Sequence, residues 1–177
     1  MGGPFGGIVQ LLAMTGQRRE EVAQLSWNEL DLDAEVWTLP GHRTKNGKAH
    51  TVHLSAPARD VLTGSPRLGS FVFTSTGRAS FQGCSPYKRE LDAMCGVPGW
   101  RLHDLRRTMV SGMAKLGVAP HVADRILNHA SGTISGVAAV YQRHEFLAER
   151  KAALDLWGRH VAFLTAGRWG VASALRP

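Results

Sequence analysis

Cysteine is scarce: the 177-residue chain has two, Cys84 and Cys95. Two thiols exclude a disulfide framework and a zinc ribbon of paired CxxC units, and read as reduced side chains. Long hydrophobic runs are also missing, since none approaches the ~20 apolar residues that a bilayer span requires. The opening MGGPFGG has no basic segment, and the apolar stretch Ile8 to Met14 is interrupted by Gln10. No secretory leader is therefore expected there, and the protein is expected to be cytoplasmic. Acidic residues are in deficit, 14 against 21 Lys plus Arg, for a formal charge of +7 at pH 7. Polyanions are the natural partners of such a chain. The remaining composition, 44% hydrophobic and 20% charged, is that of an ordinary globular protein and excludes low-complexity scaffolds. The length fits one domain, which buries roughly 70% of the surface that its unfolded form exposes.

The pattern predicts a mainly α fold with a small antiparallel β-sheet. Ile8 to Met14 reads as a buried helix, broken at Thr15-Gly16 and resumed over Arg18 to Leu25 with Val22 and Leu25 on one face. LDLDAEVWTLP and KAHTVHLS, separated by the turn-forming GHRTKNGK, read as a hairpin with room for a third strand before it. Helices follow at Pro57 to Leu62 behind a Ser55 cap, Ser80 to Met94, His103 to Leu116, Pro120 to Leu127 and Gly136 to His144. Phe71 to Thr74 is a short strand or loop. Glu145 to Leu164 reads as the longest helix, with Leu147, Leu154, Trp157, Val161 and Leu164 as its apolar stripe and Asp155 to Arg159 as an i,i+4 pair. After Gly167 the chain is expected to fray.

Several motifs fail on spacing. Gly41 to Lys48 comes close to a phosphate loop, but one residue too many separates the glycines and Ala49 stands where a magnesium-binding hydroxyl is needed. His50 and His53, three apart on a strand, point to opposite faces and cannot share an ion. The acidic residues form no two-metal cluster. No metal, nucleotide or other cofactor is expected. Metal-free phosphodiester chemistry instead needs cations for the non-bridging oxygens, a proton donor for the leaving alkoxide and a nucleophile. Arginine suits the first task because its planar fork binds phosphate through two N–H groups. Arg18 opens a helix with Glu21 one turn on, and His103 and Arg106 share a helical face. Asp104 reads as a first-turn acid and Arg107 as a solvent-facing residue. His129 follows a helix end, where a histidine ordinarily bonds a C-terminal carbonyl. Tyrosine occurs only as Tyr87 and Tyr141, so a tyrosine nucleophile has few candidates.

In order along the chain, TGxRxxE in TGQRREE, a hairpin lysine in HRTKNGK, HxxR in HDLRR, a histidine in LNH and a tyrosine in VYQRH resemble the catalytic domain of tyrosine recombinases, the phage integrase family. The resemblance spans Ile8 to Leu164, and ILNHASGTISGVAAVYQRHEFLAERKAAL is most similar to integrases of bacterial prophages and integrative elements. It implies that Arg18 and Arg106 clamp the scissile phosphate and that Lys45, rather than Lys48, protonates the departing 5′ oxygen. His103 would take or relay the tyrosine proton, and His129 would hydrogen-bond a phosphate oxygen. Tyr141 would attack to form a 3′-phosphotyrosyl link, with Glu21 orienting Arg18. Both arginines are expected to serve the transition state rather than the fold. Asn128 stands where the family's common LGH has glycine, and SGTISG lengthens the segment before Tyr141. Double-stranded DNA at attachment sites and other integrase protomers are the implied partners, without membrane. Residues 1–166 are expected to be the catalytic domain and 167–177 a flexible tail, with the family's core-binding and arm-binding domains absent. Such a chain is expected to be a monomer in dilute solution and to bind DNA weakly. A strand-relaxing enzyme of the type IB topoisomerase kind, and a decayed integrase that only binds DNA or partner protomers, are the alternatives.

Overall fold

The structure, a computed structural model, describes residues 2–129 and 145–169. Helix α1 (Gly3–Thr15) runs through the middle of the core and buries Phe5, Ile8, Leu11, Leu12 and Met14. It starts five residues before the apolar run because Pro4 suits a helix's first turn. After the break come the short α2 (Arg19–Ala23), a single 3-10 turn, and a three-stranded antiparallel sheet in the order β1 (Leu30–Asp31), β2 (Val36–Leu39), β3 (His50–His53). The expected hairpin and its third strand are both present.

Cross-strand register places Trp37 opposite Val52 and Leu39 opposite His50, on the face that joins the core. Val36 and His53 share the other face. The two histidines therefore diverge as strand periodicity requires. His50 Nε2 meets the Ile126 carbonyl at 3.0 Å, while His53 Nε2 lies 3.0 Å from Asp155.

Four helices complete the first described segment: α3 (Ala56–Thr63), α4 (Cys84–Cys95), α5 (Leu102–Lys115) and α6 (Pro120–Ile126). Ser55 precedes α3 but makes no side-chain cap bond; it packs instead against Gly158, where an added Cβ would lie 2.4 Å from its hydroxyl. Phe71 to Thr74 forms a loop in which Val72 donates its backbone N–H to the Leu25 carbonyl, while Ser70 just before it accepts from Trp27, so the loop alternative holds. The expected helix over Gly136 to His144 lies outside the described residues.

Helix α7 (Leu147–Trp169) crosses α1, α3, α5 and α6. Its contact is made by Ala153, Leu154 and Trp157, the last of which stacks on Gly112 of α5 and donates its indole N–H to the Ala13 carbonyl at 2.8 Å. The apolar stripe is thus buried in its middle, whereas Leu147 and Leu164 at its ends are 57% and 64% exposed. A straight helix crossing a compact core touches it over a few turns, so the stripe's periodicity outruns the contact. Asp155 also departs from expectation, pairing with His53 and Lys151 rather than Arg159, because β3 passes beneath it. Helix α7 continues two residues past Gly167, and 170–177 lie outside the described residues.

Candidate active site

The TGQRREE segment is a helix end followed at once by a helix start. Gly16 closes α1 in the left-handed conformation, at φ 64°, and a Cβ there would lie 2.4 Å from Met109 Sδ. Glycine is required on both counts. Arg18 then takes the extended conformation of an N-cap. Its backbone N–H donates to Glu21 Oε2 and its guanidinium to Glu21 Oε1, each at 2.9 Å. One buried carboxylate therefore ends the first turn of α2 and aims the arginine.

On α5, His103 is exposed and Arg106, one turn on, is 6% exposed. Arg106 Nη1 donates to the Gly16 carbonyl at 2.5 Å and Nη2 to the Leu127 carbonyl at 2.6 Å. Burial, together with repulsion from Arg18, pushes its pKa down to about 10. It stays charged at neutral pH, and two of its five N–H groups are committed to carbonyls. Reserving Arg106 for phosphate and not for the fold does not match this geometry: it also ties the end of α1 to the end of α6. Asp104 accepts the Arg101 backbone N–H at 2.8 Å and Arg107 lies at the surface, as their sequence positions suggest.

Lys45 lies exposed in the loop between β2 and β3. Beside it, Arg43 pairs with Glu29 and donates to the Glu21 carbonyl at 2.8 Å, which binds the loop to α2. The Thr44 hydroxyl is within bonding distance of the Gly41 and Lys48 carbonyls, at 2.9 and 2.8 Å, across the neck of the loop. Asn46 Nδ2 donates to Asn128 Oδ1 at 2.8 Å.

The turn after α6 connects these parts. The Ile126 carbonyl accepts from Gln17 Nε2 and His50, and the Leu127 carbonyl accepts from Arg106. Asn128 adopts φ 51° and bonds Asn46. A left-handed position is open to glycine and, among other residues, most readily to asparagine, which accounts for LNH in place of LGH. His129 donates its backbone N–H to the Asp124 carbonyl at 3.1 Å, and its Nδ1 lies 3.3 Å from the Asp124 carboxylate. Three successive residues, Ile126 to Asn128, thus meet the break after α1, β3, α5 and the β2–β3 loop.

Arg18, Glu21, Lys45 and His103, from three separate stretches of chain, line one cleft of about 850 Å³ between α2, the β2–β3 loop and α4. Lys48 and Tyr87 are not among its lining residues; Tyr87 stacks on Phe5 and packs tilted against Phe81, with ring centroids 5.7 and 5.2 Å apart. Arg106 and His129 do not line the cleft either. Arg106 joins it through the Gly16 carbonyl, next to Gln17 and Arg18, whereas His129 bonds Asp124 of α6. Tyr141 lies outside the described residues. Sequence reasoning missed Arg43, Asn46, Asp124 and Gln17. Arg43 and Asn46 flank Lys45 in HRTKNGK, which is the signal nearest to hand, but their partners are far away in the chain.

The model of the phage integrase family matches residues 6–146. The chain belongs to that family. It is 28% identical over 162 residues to prophage integrase IntA of Escherichia coli K12, covering 89% of this chain and 38% of that protein. It is 27% identical over 129 residues to the integrase of Salmonella phage P22, covering 65% of this chain and 33% of the relative. The chain thus spans about a third of the length of these curated relatives. Among solved structures, the integrase of mycobacterium phage Brujita superposes with a TM-score of 0.69 at 21% identity, over 88% of this chain and 52% of that one. XerA recombinase superposes with a TM-score of 0.59 at 21% identity, over 83% and 57%. The fold is that of these recombinases: mostly helical, with a three-stranded antiparallel sheet.

Proposed function

We propose that this chain carries out site-specific DNA recombination, cutting and rejoining strands through a covalent 3′-phosphotyrosyl intermediate. The observation that carries the reading is the convergence of Arg18, Lys45 and His103 on one cleft, with Glu21 holding Arg18 in place. Arginine as a phosphate clamp and lysine as a proton donor are groups that act on a phosphodiester without a metal. In the proposed reaction Arg18, with Arg106 behind it, neutralises the non-bridging oxygens. His103 takes the phenol proton of Tyr141, the tyrosine oxygen bonds to phosphorus, and the P–O5′ bond breaks. Lys45 delivers a proton to the departing 5′ oxygen, and His129 hydrogen-bonds a phosphate oxygen. The ester conserves the bond energy, so the reverse step rejoins a strand without ATP.

Double-stranded DNA is the proposed substrate and further protomers the proposed partners on it, with the cytoplasm as the place of action. Support for DNA comes from the cleft's cations: among the described residues, the side chains of Lys45, Arg89 and Arg101 form no ion pair with a carboxylate. A solved relative in fold, XerH recombinase, is described as bound to its difH substrate in a pre-cleavage complex. Trapping on nicked suicide duplexes tests the reading. A covalent adduct mapping to Tyr141 and lost in Tyr141→Phe, with DNA binding retained, is the expected result. An adduct at Tyr87, or DNA binding with no adduct, would overturn it in favour of another nucleophile or of a protein that only binds.

A further inference from the structure

We propose that Asn46 and Asn128 form a positioning pair that holds the Lys45 loop against the His129 turn and so places the lysine ammonium at the leaving oxygen. This rests on the proton-donor role assigned to Lys45 above. Arg43 and Thr44 hold the neck of the loop, but its tip is open, with Lys45, Gly47, Lys48 and Ala49 all exposed. A general acid has to stand within hydrogen-bond reach of the atom it protonates, and a displacement of about 1 Å can cost roughly 100-fold in rate.

The amide of Asn46 works in two directions. Its Oδ1 accepts the Lys48 backbone N–H at 3.2 Å and thereby shapes the loop around Lys45. Its Nδ2 reaches across 82 residues of sequence to Asn128 Oδ1 at 2.8 Å. Asn128 is in turn set by its surroundings: its left-handed backbone follows the end of α6, with Leu127 bonded to Arg106 on one side and His129 bonded to Asp124 on the other. The pair therefore couples the position of the proton donor to the turn that also anchors the buried arginine. Glycine would satisfy the φ of 51° at least as well as asparagine. The backbone alone thus gives no reason for a side chain at 128, and the bond to Asn46 supplies one.

The test compares wild type, Asn46→Ala, Asn128→Gly and the double variant in adduct formation on nicked duplexes with either a normal 5′ oxygen or a sulfur at the scissile 5′ position. Sulfur departs as a thiolate and needs no proton, so a misplaced Lys45 should matter only for oxygen. Each single variant is expected to slow cleavage of the oxygen substrate by roughly 10-fold to 100-fold. Cleavage of the sulfur substrate should stay within about twofold of wild type, and the double variant should be no worse than either single one. Amide hydrogen exchange should rise at residues 44–48 in Asn128→Gly and stay unchanged in β2 and β3. Equal losses on both substrates, additive losses, or unchanged loop exchange would each overturn the pairing. If wild type forms no adduct on either substrate, the reading of Lys45 as a proton donor fails and the positioning role falls with it; the exchange result then reports separately on whether the tether exists.

Discussion

The carboxylate of Glu21 holds Arg18 twice, accepting its backbone N–H through Oε2 and its guanidinium through Oε1, each at 2.9 Å. The same bond geometry that starts α2 therefore fixes the direction of the arginine that faces the cleft. Glu21→Gln keeps an acceptor but removes the charge, so α2 should persist while Arg18 loosens. Cleavage is expected to fall about tenfold, the factor that 1.4 kcal/mol of lost transition-state stabilisation produces. Glu21→Ala should in addition lower stability by about 1 kcal/mol through loss of the helix-start bond. Adduct rates and thermal unfolding of the two variants separate the effects.

Arg18 and Arg106 should respond differently to the same substitution. Arg106→Lys cannot reach both the Gly16 and Leu127 carbonyls, and a buried acceptor left unpaired costs about 1–3 kcal/mol. A loss of that size should lower the unfolding midpoint by roughly 2–10 °C in a domain of this size. Arg18→Lys, with a side chain 30% exposed, should leave the midpoint nearly unchanged. Both should reduce cleavage by ~10²-fold or more, the scale of removing one oxyanion-type donor. Equal midpoints would show that the Arg106 carbonyl bonds do not support the fold.

His50 should make the protein acid-sensitive. Burial pushes its pKa down from 6.5 to about 4, with the positive charges of Arg150 and Arg106 adding to the effect. The folded state therefore binds fewer protons than the unfolded state between those two values. The contribution is fully present above pH 6.5 and is lost as pH falls toward 4, by about 3 kcal/mol in all. His50→Asn does not titrate. Its melting curves should show a smaller loss of stability over that interval than wild type, and an unchanged loss would place the acid sensitivity elsewhere.

DNA affinity should depend on salt in a residue-specific way. Each phosphate neutralised contributes ~0.9 to the slope of log affinity against log salt. Arg89→Ala and Arg101→Ala, which remove cleft cations without a carboxylate partner among the described residues, should each reduce the slope by about that amount. Lys88 is paired with Asp92 and sits 3.8 Å from the centroid of the Trp100 ring. Its replacement by alanine should leave the slope unchanged while loosening α4. Fluorescence anisotropy over a salt series reads all three variants.

What the sequence determined was whatever depends on neighbours a few residues apart. The succession of elements, the break at Thr15-Gly16 and the placing of Glu21 one turn beyond Arg18 follow from helical and strand periodicity, which recurs every three to four or every two residues and is written in the chain. The divergence of His50 and His53 follows in the same way. Tertiary structure decided what those residues meet. Arg106 looked in the sequence like a cation free for phosphate, yet its partners are the Gly16 and Leu127 carbonyls, which belong to the ends of two other helices. Asp155 was in register with Arg159, but β3 brought His53 closer. Asn46 and Asn128 carry no mutual signal, because a backbone turn after α6 and a loop between two strands are brought together only when the core packs. A backbone carbonyl has no residue identity, and a contact across 82 positions has no period, so neither leaves a mark that local pattern reveals.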